Sequence, residues 1–277
     1  MITGKIVHLN GREDLAVDIT ICLPGIRVEG WPRVYDSIKS SVGNHSFELI
    51  IVGPYAPYDS LLQEAEISYI QDYGCPSRCL QIASLTSQGD LYTFISDDGI
   101  LRENSLAKAI DNFDSDIMTM RYTEGINFSG GIHSQPNEYW TAWHHADLQK
   151  ECLKNYRLAP VWMMETSKFR DLGGVDCRFE HVNVCCHDLA FRIQRAGGNV
   201  QLSPDFIMDC DWSSHKKCAV VDAYFENDKP LFDSLCDSIA DPFCDRLHID
   251  YNNWLNVPPV WPRRFNVNEL NNDYRYR

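Results

Sequence analysis

The chain has 277 residues, 25 Lys+Arg against 39 Asp+Glu for a formal net charge of −14, and is 44% hydrophobic and 12% aromatic with 16 Gly and 13 Pro. A chain of this size buries a sizeable core without crosslinks, and the composition excludes disordered and fibrous classes. The acidic balance weighs against non-specific binding to phosphate backbones, which depends on lysine and arginine releasing counterions.

Strand and helix signals then alternate, the pattern of βα units and a largely parallel sheet. Asp18 to Pro24 carries Ile19, Ile21 and Leu23 at period two and predicts a first strand that Pro24-Gly25 ends. Trp31 to Ser41 has Val34, Tyr35 and Ile38 at helical spacing, with Pro32 tolerated near the start because its missing N–H is not needed there. Phe47 to Val52 is a nearly continuous apolar run closed by Gly53-Pro54, as expected for a strand covered on both faces. A short strand is expected around Ile67 to Ile70, a helix around Arg78 to Leu85, and a strand over Leu91 to Ile95 that stops at Ser96-Asp97-Asp98-Gly99. Asn104 to Asn112 predicts a helix and Ile117 to Arg121 a strand.

Residues 123–157 lack clean periodicity, as functional loops often do. Order returns with Ala159 to Met164, Ser167 to Leu172 and the block Gly173-Gly174-Val175-Asp176. A helix is expected from Asp188 to Arg195, with Leu189, Ile193 and Ala196 on one stripe and Gly197-Gly198 at its end. Beyond about residue 216 the chain predicts a helix near Asp222 to Ile239 and an aromatic, proline-containing finish from Trp254 to Phe265. No apolar run reaches the length of a transmembrane segment, and Met1 to Asn10 lacks the basic and apolar regions of a signal peptide, so a cytoplasmic location is expected. The eleven cysteines, odd in number and irregular in spacing, read as mostly free thiols.

Asp97 and Asp98 sit at the carboxyl end of a predicted central strand, the edge at which open α/β sheets bind ligands. Two adjacent carboxylates on a turn supply hard oxygen ligands for Mg2+ or Mn2+ carrying a diphosphate; a solvated Asp-Gly turn is the alternative. The ordered set of strand one with Pro24, the Phe47 to Val52 strand, the Gly74 to Leu80 turn and Gly89 to Asp98 resembles the inverting family-2 glycosyltransferases of the GT-A nucleotide-sugar-binding fold. The resemblance extends over Gly173 to Glu180 and His187 to Ile193, and so covers about residues 17–212.

It implies an α/β, Rossmann-like GT-A domain over residues 1–215, mostly parallel in its sheet, with residues 216–277 as an appendage packed on it. It also implies transfer of a sugar from a nucleoside diphosphate, a UDP-sugar foremost, to an acceptor hydroxyl on a glycan, lipid-linked or protein acceptor. Asp98 and the late His215 would then hold Mn2+ or Mg2+, and Pro24, Arg27, Asp72, Arg78 and Asp97 would contact the donor. Asp188 would take the acceptor proton as catalytic base, with helix capping as its alternative. Asp176, Glu180 and Trp143 would face the acceptor. The chain departs from the resemblance at Gly53-Pro54, Ile95 and His187, where acidic residues are often found. Two further readings stand beside this one: glycosylation of a modified base in nucleic acid, for which Arg263-Arg264 and His215-Lys216-Lys217 offer charge, and a non-catalytic nucleotide-sugar-binding module.

Overall fold

The computed structural model describes residues 5–8, 16–124, 142, 150, 153–210, 219–237 and 246–266. Its nine strands are β1 (Lys5–His8), β2 (Ile19–Pro24), β3 (Phe47–Gly53), β4 (Ile67–Gln71), β5 (Leu91–Phe94), β6 (Gly99–Leu101), β7 (Ile117–Glu124), β8 (Trp162–Glu165) and β9 (Val200–Cys210). They form one sheet in the order β1-β4-β3-β2-β5-β8-β7-β9-β6. β4, β3, β2 and β5 run parallel, with β1 antiparallel at the edge. The second half is mixed, because β8 runs antiparallel to both β5 and β7, β9 is parallel to β7, and β6 returns antiparallel to β9.

The parallel half is legible in its side chains. Every residue of β3 is buried, so helices must cover both faces of the strand. One is α1 (Trp31–Ser41), which buries Trp31, Val34, Tyr35 and Ile38 and takes Pro32 in its first turn. Another is α3 (Pro76–Thr86), which starts two residues earlier than the apolar spacing suggests because Pro76 occupies the first helical position. Short helices α2 (Asp59–Leu62), α4 (Ser105–Asp111) and α5 (Thr166–Asp171) fill the connections. Tyr92, Phe94, Trp162 and Phe169 pack ring to ring across β5 and β8, with centroids 5.0 to 5.8 Å apart.

Two features departed from expectation for physical reasons. β9 is eleven residues long and contains Pro204, which cannot donate to a ladder; the register against β7 shifts between Thr119 and Tyr122, opposite the segment that holds this proline. The long helix α6 spans Val182–Arg195, not Asp188 onwards. Its cap is His181, whose side chain accepts the Asn183 N–H at 3.1 Å. Asp188 therefore lies in mid-helix, and the capping alternative is excluded along with the expected start.

The tail holds α7 (Ala219–Ala223), a π-helical turn Tyr224–Asp228 and α8 (Lys229–Asp237). Phe232 and Trp261 are buried, and Leu231, Leu235 and Trp254 pack partly on the core, whereas Phe225 is exposed. Residues 246–266 are joined to the domain by hydrogen bonds of 2.8 Å from Gln81 Nε2 to Tyr251 O, from Cys177 N to Asn253 Oδ1 and from Trp261 N to Tyr73 O. Gly173, at φ +84, accepts no larger residue because a Cβ there would collide with Ile249 O of this tail. Cys22, Cys75, Cys79, Cys177, Cys185, Cys186 and Cys210 are free and buried.

Candidate functional site

The carboxyl ends of β2 to β5 open into a cleft of about 380 Å³. Its floor is made by the turns that end these strands: Pro24 to Arg27, Gly53-Pro54, Asp72 and Gly74, and Ser96 to Asp98. A side chain at position 53 would run into the Gly25 carbonyl, so the β2 and β3 turns meet this closely only with glycine there. The far wall combines His181 to Asn183 at the start of α6, Val220 and Val221 of α7, and Trp261, Arg264 and Phe265 of the tail.

Within the acidic turn the two aspartates do different things. Asp97 Oδ2 accepts the main-chain N–H groups of Ile26 and Arg27 at 2.7 and 2.9 Å, and its Oδ1 pairs with Arg27 Nη1. It thereby shapes the turn after β2 across more than seventy residues of sequence. Asp98 accepts from Ser96 Oγ and lies 3.5 Å from Arg27 Nη2. Arg27 thus spans both carboxylates.

No group of three His, Cys, Asp or Glu side chains that could hold a metal occurs among the described residues. The arrangement fits the way Mg2+ is usually held, by one or two carboxylates together with substrate phosphates and water, and does not fit an all-protein cage. His215 and Trp143 lie outside the described residues.

Other expected site residues are brought together elsewhere. Asp72 borders the cleft but is clasped by Arg78, with Nε–Oδ1 and Nη2–Oδ2 both 3.0 Å, and accepts the Gly74 N–H at 2.8 Å. Arg78 is buried, donates to the Trp254 carbonyl and stacks over that ring at 5.0 Å, so it anchors the tail behind the cleft wall. Glu180 receives Trp261 Nε1 at 2.8 Å and Arg263 Nε at 2.5 Å, which makes it a second anchor of the tail.

Asp188 sits apart from the cleft. It is 0% exposed, does not border the cleft, and is held by Arg192 Nε at 3.0 Å and Arg246 Nη1 at 2.7 Å. Arg246 reaches Asp176 Oδ2 at 2.6 Å as well, and Arg178 donates to both Asp176 oxygens. Burial pushes the Asp176 carboxyl up, and the bonds and charges of Arg178 and Arg246 outweigh it to hold it below the usual range. Arg192 also donates to the carbonyls of Leu247 and Gly174, at 2.8 and 2.5 Å. A base has to reach the proton it removes, and Asp188 is enclosed in this clasp. His187, beside it, accepts the Ala159 N–H at 3.3 Å and stacks on Phe191.

His181, Asn183 and Arg264 are cleft residues that sequence reasoning did not assign to the donor site. His181 carried no signal, since it precedes a helix whose start was misplaced. Behind it, buried Asp228 of the π-helical turn accepts the N–H groups of Glu180 and His181 at 2.9 and 2.6 Å. Burial lifts the Asp228 carboxyl to about 6, and burial lowers His181 to about 4. The folded chain takes the Asp228 proton first, so that group's stabilisation falls as pH rises from about 4 to about 6. The unfolded chain takes the His181 proton first, so stability falls as pH drops from 6.5 towards 4. The two slopes oppose each other in one window. Asp228→Asn is expected to unmask the histidine, so that the variant's Tm drops more steeply than the wild type's on acidification through this range; parallel curves would contradict it.

The mixed α/β fold, a nine-strand sheet flanked by helices, matches structural neighbours of the GT-A fold. Among solved structures, S. aureus TarS 1–349 matches with a TM-score of 0.50 at 16% identity, over 70% of this chain and 60% of that one. The same TarS fragment in complex with UDP-GlcNAc gives 0.48 at 15% identity over 70% and 58%, and the catalytic domain of Drosophila β1,4-galactosyltransferase 7 gives 0.44 at 6% over 69% and 66%. The chain thus spans about 60% of the length of the TarS fragment. No protein-family model matches the chain, and no curated protein matches it.

Proposed function

We propose that the cleft binds a nucleoside-diphosphate sugar and that the chain transfers the sugar to an acceptor hydroxyl. The observation that carries this reading is the Ser96-Asp97-Asp98 turn placed by β5 beside the turns of β2, β3 and β4, in one cleft. Strand ends of a parallel sheet present main-chain groups and short turns to a nucleotide, and the carboxylates set the diphosphate end.

Formal charges support a cation. Asp72 is neutralised by Arg78, leaving Asp97 and Asp98 against Arg27 and Arg264 among the described cleft residues, a balance near zero. A diphosphate brings negative charge that this set does not offset. Asp98 together with the diphosphate oxygens would hold Mg2+ or Mn2+, which supplies charge stabilisation to a departing nucleoside diphosphate. Asp97 keeps the Ile26-Arg27 turn in place, and Arg27 bridges the two carboxylates. No described helix is long and apolar enough to cross a membrane.

A donor screen tests the reading: release of nucleoside diphosphate from UDP-, GDP- and other nucleotide sugars, with Mg2+ or Mn2+ and with EDTA. Release from at least one donor, lost in EDTA, is expected. Absence of release and of binding across the panel would overturn it.

A further inference from the structure

Arg263 and Arg264 adjoin in sequence and meet opposite surroundings. Arg263 Nε donates to Glu180 Oε2 at 2.5 Å, and its Nη1 pairs with Glu226. Arg264 is half-buried in the cleft wall, and among the described residues no carboxylate pairs with it. Its guanidinium lies over the Trp261 ring, 5.6 Å from the centroid.

The turn that carries it is fixed on two sides. Trp261 N donates to the Tyr73 carbonyl just beyond β4, and Phe265 meets the Tyr73 ring edge-on at 5.9 Å. On the other side Trp261 Nε1 and Arg263 both hold Glu180, immediately before the α6 cap. Within the turn Arg264 N donates to Trp261 O at 3.1 Å. Arg264 is therefore a preplaced cation, not a side chain swept through solvent.

A guanidinium brought into a cleft gives up hydration that an anion must replace. Its planar fork matches phosphate oxygens two at a time, and stacking on an indole leaves the N–H edges facing outward. The geometry points to Arg264 as a residue that binds the donor's diphosphate, supplied by the tail and not by the sheet turns. This rests on the nucleotide-sugar reading of the cleft. It makes the donor site incomplete without residues 260–265, and it predicts a contact blind to the base.

Calorimetric titration of wild type, Arg264→Gln and Arg264→Lys with UDP, GDP and ADP, and with the parent nucleosides, tests it. The diphosphate that wild type binds should lose about tenfold or more of its affinity in Arg264→Gln, the scale of one charge-assisted hydrogen bond, while nucleoside affinity and Tm stay unchanged. Arg264→Lys keeps the charge without the fork and should recover part of the loss; it reads the same contrast if the glutamine variant does not fold. Unchanged diphosphate affinity in both variants would overturn the inference. So would equal losses for diphosphate and nucleoside, or an effect confined to acceptor KM. Wild type that binds none of the three diphosphates fails the cleft reading itself, which keeps the two failures apart.

Discussion

Asp188→Ala is expected to lower stability by about 3–5 kcal/mol, the cost of leaving a buried charge without its partner. The carboxylate is fully enclosed, and its two oxygens are divided between Arg192 and Arg246. Removing it takes away the carboxylate that pairs with Arg192, itself 0% exposed. It also loosens the tail, because Arg246 loses one of its two carboxylates and Arg192 is the donor to Leu247 O. For a chain of this size the change amounts to a Tm lower by roughly ten degrees. Asp188→Asn keeps the volume and one acceptor but not the charge, and should fall between wild type and alanine. A catalytic base predicts the opposite pattern, an unchanged Tm with transfer abolished. Thermal melts and transfer rates on the same two variants separate the readings.

Asp98→Ala is expected to reduce sugar transfer by about a hundredfold or more while leaving the fold intact, because cation-assisted charge stabilisation is worth several kcal/mol. The fold should survive because the neighbouring aspartate carries the structural load. Asp97 accepts two main-chain N–H groups and the Arg27 guanidinium, whereas Asp98 accepts a serine hydroxyl and faces Arg27 at 3.5 Å. Asp97→Ala should accordingly lose both activity and Tm, since it frees the Ile26 and Arg27 N–H groups. Melting curves with transfer rates at several Mg2+ and Mn2+ concentrations check the contrast. A fully active Asp98→Ala in excess EDTA would contradict it.

The strand-end turns that line the cleft were legible in the sequence because they are local. Each of its turns follows a strand whose apolar pattern is strong, and Pro24-Gly25, Gly53-Pro54 and Asp98-Gly99 mark those strand ends directly. β1 was not legible, for it is a four-residue edge strand with Ile6 and Val7 exposed, and β6 is only three residues long. β9 hid behind Pro204, which ordinarily argues against a strand and here coincides with a register shift.

The start of α6 was less legible for a different reason. Val184, Cys185 and Cys186 belong to the buried part of α6, but the sequence reading started the helix six residues late, at Asp188. That displacement put Asp188 at an exposed helix end instead of inside the clasp. Arg246, its decisive partner, stands 58 positions away, and nothing local in the sequence links the two. Arg78, Glu180 and Asp176 likewise lie in ion pairs that the sequence does not show, since an ion pair and a ligand-binding residue draw on the same residue types. Only the partners tell them apart.

Backbone hydrogen exchange, with and without a nucleotide sugar in the presence of Mg2+, tests the central claim most directly. The account predicts slower exchange in peptides carrying residues 24–27, 53–54, 72–74 and 96–98, which border the cleft. It predicts no change around Asp176 and Asp188, which do not. Protection confined to residues 176–192, or absent from all four strand-end turns with every donor tried, would contradict it.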